Sequence, residues 1–411
     1  MYALIDANNF YVSCERVFQP KLNNKPVIVL SNNDGCAIAR SNEAKIIGIK
    51  MGAPLHMIKK VISEYDVQLR SANFTLYGDM SSRFMTIVER ESPNIEVYSI
   101  DESFIHIGDY SEVDYWSSQL RKAVLKEVGL PTSIGVARTK VLAKLANSLA
   151  KKSGGSFTLK ENDEKRVLAA TPVSDVWGIG GQLSVRLMGM GIFTAQQFIQ
   201  ADSNLIRDTF SVVVARIQSE LQGNPVLELE ESKPVRKEIL VSRSFGEPVI
   251  TLQQINLAIS KFIEEGSRKL RGQRSEACLL TVFLKTNRYS KCAKQYNNVI
   301  QINLPHSTSD TEMLNHYAQL LVERIYRNGY EYKKAGIRLS SLTDADSYQS
   351  DLFSNRPSGK IDAVKDSVNI RFGRSTLKSA ALVSNNQSWK MKRNFLSQSY
   401  TTNWNQLPVA I

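Results

Sequence analysis

The chain has 411 residues, of which 42% are hydrophobic and 22% charged. That is too long for one ordinary core and suits two to four globular domains. No apolar run of about eighteen residues occurs, and the opening MYALIDANNF carries Asp6 where an export signal would carry basic residues and a long apolar stretch, so a cytoplasmic protein without a membrane partner is expected. The net charge of +12 is unevenly placed: residues 1–230 hold 25 Lys+Arg and 25 Asp+Glu, which leaves 27 basic residues against 15 acidic ones after position 230. A cationic C-terminal part serves solubility or a polyanionic partner such as nucleic acid, whose counterions it releases on binding. Cys14, Cys36, Cys278 and Cys292 are too scattered for a CxxC metal knuckle, so free thiols and no structural zinc are expected.

In chain order, ALIDANNFYVSCERVF reads as a short strand ending at Asp6, then a helix with Phe10, Tyr11, Cys14 and Phe18 at helical spacing. KPVIVLSNNDGCAIARS places two β-rich runs, Val27 to Leu30 and Cys36 to Ala39, around an Asn-Asn-Asp-Gly turn, a hairpin signal. NIEVYSIDESFIHIG reads as a second strand pair broken near Asp101 and Glu102. LPTSIGVARTKVLAKLANSLAKKSGG passes from a strand ending near Val136 into a helix closed by Gly154 and Gly155. On that helix Lys140, Lys144 and Lys151 share one face and Leu142, Leu145, Ala146 and Leu149 another, the pattern of a solvated face over a core face.

Residues 172–230 read as a small helical unit. Gly178 and Gly180 precede one helix and Gly189 and Gly191 follow it, as in a helix-hairpin-helix whose turn aims backbone N–H groups at a phosphate. A charged, proline-bearing linker follows at 231–238. Residues 239–343 then run strand, helix, strand, strand, helix, strand, which predicts a four-stranded sheet backed by two helices. Residues 344–411 are rich in Ser, Asn and Gln and read as a tail with one helix near Ile361 to Ala381.

The pair Asp101 and Glu102 asks for an explanation, because neighbours in a straight strand point to opposite faces, whereas a break lets them converge. With Asp6 at the end of the first strand beside them, three carboxylates in a chain holding only four histidines suit a hard cation such as Mg²⁺. Two such ions serve phosphoryl transfer. A solvated acidic turn is the alternative, and spacing alone leaves both open.

The segments ALIDANNFYVSCE, SNNDGCAIARSNEAKIIGIKMG, EVYSIDESF, IGVARTKVLAKLAN, DVWGIG and SRSFGE resemble, in order and wording, those of Y-family translesion DNA polymerases, most closely the UmuC branch, over essentially the whole chain. The resemblance implies an α+β multidomain fold: a polymerase right hand with palm and inserted fingers in 1–171 (fingers about 20–75), a helical helix-hairpin-helix thumb in 172–230, and a four-stranded α/β little finger in 239–343. It implies Asp6, Asp101 and Glu102 as holders of two Mg²⁺ ions, with the Ala7 carbonyl as a further ligand, and Tyr11 as the steric gate that excludes a 2′-hydroxyl. Helix core remains an alternative role for Tyr11, since Phe10 beside it is apolar too. Phe10, Tyr11, Arg40, Lys45 and Lys151 are placed by the same likeness at the nucleotide, and Gly178, Gly180, Arg243 and Ser244 at DNA. Asn42 and Lys45 stand where the shorter Y-family branch has Tyr and Arg, which supports the UmuC branch and replaces a bidentate fork with a point charge.

Gln349, Leu352 and Phe353 in YQSDLFSN resemble a sliding-clamp-binding motif, and SWKMKRNFLSQSYTTNW resembles the branch's C-terminus, which implies contacts with a UmuD′-like dimer and a RecA filament. The function so implied is error-prone, template-directed translesion synthesis on primer–template DNA with dNTPs, in an SOS-type damage response. Two rivals are a non-catalytic DNA- and clamp-binding scaffold, which has no use for three converging carboxylates, and a transferase restricted to one preferred base.

Overall fold

The computed structural model describes residues 1–108, 112–230, 234–290, 292–347, 360–373, 376–382 and 391–407. The chain divides into two compact units, one of Met1–Ser31, Gly35–Lys233 and Asn394–Ile411, the other of Asn32–Asp34 and Pro234–Arg393.

The first unit opens with strand β1 (Tyr2–Ala7) and helix α1 (Phe10–Phe18), which buries Phe10, Val12 and Cys14. The hairpin β2 (Val27–Leu30) and β3 (Ala37–Arg40) forms as the sequence predicts. Short helices α2 (Asn42–Ile46) and α3 (Lys59–Glu64) lead to β4 (Gln68–Ser71), which runs parallel to β2 and completes a three-stranded sheet. Helix α4 (Phe74–Glu91) starts where the Asn73 side chain accepts the Leu76 N–H, and it buries Leu76, Tyr77, Met80, Phe84, Ile87 and Val88 at helical spacing.

Strands β5 (Ile95–Val97) and β6 (Glu102–His106) form the second predicted pair, with the break between them ending at Asp101. Helix α5 (Val113–Val128) stops at Gly129, whose φ of 74° suits glycine. Then come β7 (Thr132–Ala137), α6 (Lys140–Ala150), β8 (Ser156–Thr158) and α7 (Glu161–Ala170). The main sheet has the order β5-β6-β1-β7-β8, so β1 is central and its C-terminal end lies between β6 and β7. Gly135 on β7 is required by the approach of α6: a Cβ there would lie 2.0 Å from the Asn147 backbone nitrogen. Four helices, α8 (Gly181–Gly189), α9 (Ala195–Gln200), α10 (Ser203–Thr209) and α11 (Val212–Leu221), make up the helical segment.

One face of α6 differs from its sequence pattern. Lys140 is 3% exposed, its ammonium pairs with Glu96, and it also donates to the Glu228 carbonyl at 2.5 Å. The i, i+4 spacing with Lys144 suggests a solvated lysine face, but Glu96 on β5 offers Lys140 a buried counter-charge from far along the chain.

In the second unit β9 (Ile239–Val249), α12 (Leu252–Gly272), β10 (Ser275–Thr286), β11 (Asn297–Thr308), α13 (Thr311–Ile325) and β12 (Tyr332–Asp344) follow the predicted order. They form an antiparallel sheet, β11-β10-β12-β9, whose core with the two helices includes Val241, Ile259, Phe262, Val282, Leu321 and Ile337. Helix α14 (Lys360–Phe372) ends earlier than its sequence suggests and is tied to α12 by Arg271 to Asp362 and Asp366 and by Lys365 to Glu264.

Candidate active site

The antiparallel register of β1 and β6 sets Asp6 opposite Glu102, and the Ala7 N–H donates to the Asp101 carbonyl at 2.9 Å. The end of the central strand is thus stitched to the break that carries the acidic pair. Ser99 shapes that break: its hydroxyl donates to Asp101 Oδ1 at 2.6 Å and accepts the Asp101 and Glu102 N–H groups at 3.2 and 3.1 Å. The adjacent acids are therefore held in one turn and one strand start, side by side with Asp6.

Each outer carboxylate meets an ammonium from α6 or the residue after it. Lys144 Nζ lies 2.8 Å from Glu102 Oε2, and Lys151 Nζ lies 2.8 Å from Asp6 Oδ2. Lys144 is also boxed by rings, 4.6 Å from the Tyr98 centroid and 5.2 Å from that of Trp177. Asp6 is 5% exposed, and burial, aided by the Glu102 charge and opposed by Lys151, pushes its pKa up to about 7. The donor set is carboxylate and backbone oxygen, which suits a hard divalent cation. Among the described residues no three Asp, Glu, His or Cys side chains converge tightly enough to hold an ion as they stand, and Lys144 and Lys151 pair with two of the three carboxylates.

Tyr11, on the first turn of α1, is half-buried and stacks on Tyr77 with centroids 4.5 Å apart and planes at 16°, while Phe74 meets it edge-on at 6.0 Å. Burial first, then the Asp101 charge, raises its pKa. Phe10 is 3% exposed and belongs to the core, so its ring is not presented to a nucleotide. Asn9, left-handed at φ 49°, bridges from this helix: its Oδ1 accepts from Lys45 Nζ at 2.6 Å and its amide donates to Asn42 at 3.0 Å. Burial, aided by the charges of Arg40 and Lys151 and opposed by that of Asp6, lowers the Lys45 pKa. Arg40 donates to the Ile49 carbonyl at 2.7 Å.

The structure brings Asp6, Ala7, Asp101, Glu102 and Lys151 together, with Tyr11, Arg40 and Lys45 around them. Gly178 and Gly180 lie before α8; Gly178 has φ 87° and abuts Ile217. Arg243, on β9 in the second unit, pairs with Glu265 at 3.0 Å, and Ser244 beside it is exposed. Gln349, Leu352 and Phe353 lie outside the described residues. Ser99, Lys144, Asn9 and Tyr77 escape sequence reading, although Lys144 sits two turns before Lys151 on a helix already marked by its lysines.

Comparison with solved structures defines the fold. The chain resembles a Y-family DNA polymerase chimera of Dbh and Dpo4 with a TM-score of 0.68 at 16% identity, covering 84% of this chain and 99% of that one. It resembles an insertion ternary complex of Dbh DNA polymerase with a TM-score of 0.54 at 19% identity and the same coverage. The fold is that of a Y-family polymerase, a right hand with an added little finger.

Residues 5–148 match the impB/mucB/samB family, residues 236–352 its C-terminal domain, and residues 360–410 a domain of unknown function. Protein ImpB of Salmonella typhimurium is 38% identical over 100% of this chain and 99% of its own length, and Protein UmuC of Salmonella typhimurium strain LT2 is 39% identical over 99% of each. DNA polymerase IV of Corynebacterium diphtheriae is 26% identical over 83% of this chain and 75% of its own. The chain belongs to the impB/mucB/samB family. Its activity is error-prone translesion synthesis by a DNA-directed DNA polymerase, with DNA and deoxynucleoside triphosphates as substrates. Among the described residues no helix is long and apolar enough to cross a membrane.

Proposed function

We propose that Asp6, Asp101 and Glu102 are the catalytic carboxylates and hold two Mg²⁺ ions, with the Ala7 carbonyl as a further ligand. The observation that carries this reading is the register of β1 against β6, which fixes Asp6 opposite Glu102 and beside Asp101. Bound there, divalent ions supply the charge that activates a primer hydroxyl and neutralises a leaving pyrophosphate. The chain's own groups do the rest. Tyr11 places its ring where a 2′-hydroxyl would clash, and its stack on Tyr77 keeps the ring from yielding. Lys151, Lys45 and Arg40 form a cationic rim that orients a triphosphate by its charge, and Asn9 holds Lys45 in that rim. Phe10 contributes by packing α1 in the core.

Palm and fingers occupy 1–171, the thumb 172–230 and the little finger 239–343 in this reading. Gly178 and Gly180 offer backbone N–H groups to a phosphate, and Arg243 and Ser244 lie on a strand of the cationic part, where they grip the duplex backbone. Gln349, Leu352 and Phe353 bind a sliding clamp, and a UmuD′-like dimer and a RecA filament are further partners in an SOS-type response. Support for these partners is the likeness of the sequence motifs.

Primer extension across an abasic site, with Mg²⁺, dNTPs and clamp, tests the reading against the scaffold alternative. Wild-type insertion with loss in Asp101→Asn, together with weaker Mn²⁺ binding by that variant, is the expected result. Equal insertion by both proteins refutes the carboxylate assignment, and insertion by neither with DNA binding intact, even after the accessory dimer and filament are added, favours the scaffold.

A further inference from the structure

The segment 394–407 has the polar composition of a tail, yet it returns to the first unit and buries Ser397 and Tyr400. Phe395 and Ser71 exchange hydrogen bonds: the Phe395 N–H donates to Ser71 Oγ at 3.0 Å and the Ser71 N–H to the Phe395 carbonyl at 2.9 Å. Two residues on, Ser397 accepts from the Asn73 amide at 3.0 Å, and its hydroxyl donates to Glu15 Oε1 at 3.0 Å. Tyr400 accepts from Gln19 at 2.7 Å and stacks flat on Phe18, centroids 4.9 Å apart with planes at 4°. The C-terminal half of α1 and the residue after it are thus touched by one C-terminal strap.

Glu15 is the link to the active site. It is fully buried, and its Oε1 accepts from Ser397 and also from the Tyr77 hydroxyl at 2.7 Å. A buried carboxylate depends on such donors, since the loss of one leaves charge uncompensated in a medium that cannot rearrange around it. Glu15 Oε2 is buried with no hydrogen-bond partner among the described residues, so Ser397 and Tyr77 supply the side-chain hydrogen bonds of this group, with the Arg70 charge nearby. Tyr77 in turn is the ring on which Tyr11 stacks. A chain of contacts runs Ser397, Glu15, Tyr77, Tyr11, and its first member lies 382 residues from its second.

We propose that Ser397, brought in by the C-terminal strap, is a positioning residue for sugar selection: through Glu15 it fixes the Tyr77 hydroxyl and thereby the plane of the Tyr77 ring that backs Tyr11. This rests on the reading of Tyr11 as the gate. It also gives the end of the region matched as a domain of unknown function a role in the catalytic unit. The strap acts on discrimination and leaves the carboxylates alone, since its described contacts fall on Ser71, Asn73, Glu15, Phe18 and Gln19.

The test is single-nucleotide insertion by the full chain, with its accessory partners, on undamaged primer–template, comparing ribonucleotide with deoxyribonucleotide for Tyr11→Ala, Ser397→Ala and Ser397→Thr. Ser397→Ala is expected to raise the ribonucleotide-to-deoxyribonucleotide ratio roughly three- to tenfold, the scale of one hydrogen bond to a charged group felt in part at the gate. Ser397→Thr, which keeps the hydroxyl, should restore the wild-type ratio. A ratio that rises in Tyr11→Ala but stays fixed in Ser397→Ala overturns the proposal alone, and so does a loss of both insertions in equal measure, which is what a merely structural serine gives. An unchanged ratio in Tyr11→Ala removes the gate assignment and this proposal with it.

Discussion

Asp6→Asn should make the metal-free protein more stable at neutral pH while abolishing synthesis. Burial moves the Asp6 pKa from 3.8 to about 7, so the native state binds the proton more tightly than the unfolded chain does. The sign follows: between those two values the folded form holds the extra proton, and stability falls as pH rises through this window, then levels off above about 7. At about 1.4 kcal/mol per tenfold change, a gap of about three powers of ten amounts to at most about 4 kcal/mol. Lys151 sits against Asp6 and is already included in that balance as an opposing influence. Urea unfolding in a chelating buffer at pH 5 and pH 8 is the assay, since bound cations would stabilise the native state by mass action. The wild type should lose stability relative to Asp6→Asn between the two pH values, because other titrating groups such as Glu15 are common to both proteins. Parallel stabilities for the two proteins across that range would refute the reasoning.

Lys140→Met should cost about 3–5 kcal/mol in urea unfolding by stranding Glu96 in the interior. The double variant with Glu96→Gln should recover part of that loss, and additive costs would show that the buried pair is not coupled. Gly135→Ala should destabilise by roughly 1–3 kcal/mol or more, because its Cβ meets the backbone of α6 rather than a movable side chain; a melting temperature unchanged from wild type would contradict that close approach.

Local pattern made much of the fold legible. The hairpin of β2 and β3, the broken pair around Asp101 and the sequence of elements in the second unit all follow from alternation, turn residues and helical spacing, which act over a few residues. The meeting of Asp6 with Asp101 and Glu102 follows from the same local signals, while the choice of a metal site over a solvated turn rests on the family resemblance. What the sequence hides depends on distant partners. Lys140 looks solvated until Glu96 is packed against it, and Lys144 gains its ring box from Tyr98 and Trp177, which lie on either side of it in the chain. The strap at Ser397 is the extreme case: its polar composition resembles a tail because its binding is carried by hydrogen bonds and two aromatic rings, with little of the apolar periodicity that sequence reading detects.

The two lysines on the carboxylates are not equivalent, and the difference bears on how the site is filled. Lys144 is 24% exposed and held on three sides, by Glu102 and the faces of Tyr98 and Trp177, so moving it breaks an ion pair and two ring contacts together. Lys151 is 43% exposed, follows the last turn of α6 and has Asp6 as its ion-pair partner. Of the two, Lys151 is the cheaper to displace. In the proposed site a divalent cation at Asp6 would compete with the Lys151 ammonium, and the proposed triphosphate role of Lys151 would give that ammonium a second partner. Lys144 remains beside Glu102 and limits the negative charge that three carboxylates would otherwise concentrate at one strand end. In that proposal the more exposed Lys151 serves the substrate and the more enclosed Lys144 the protein, from two lysines seven residues apart.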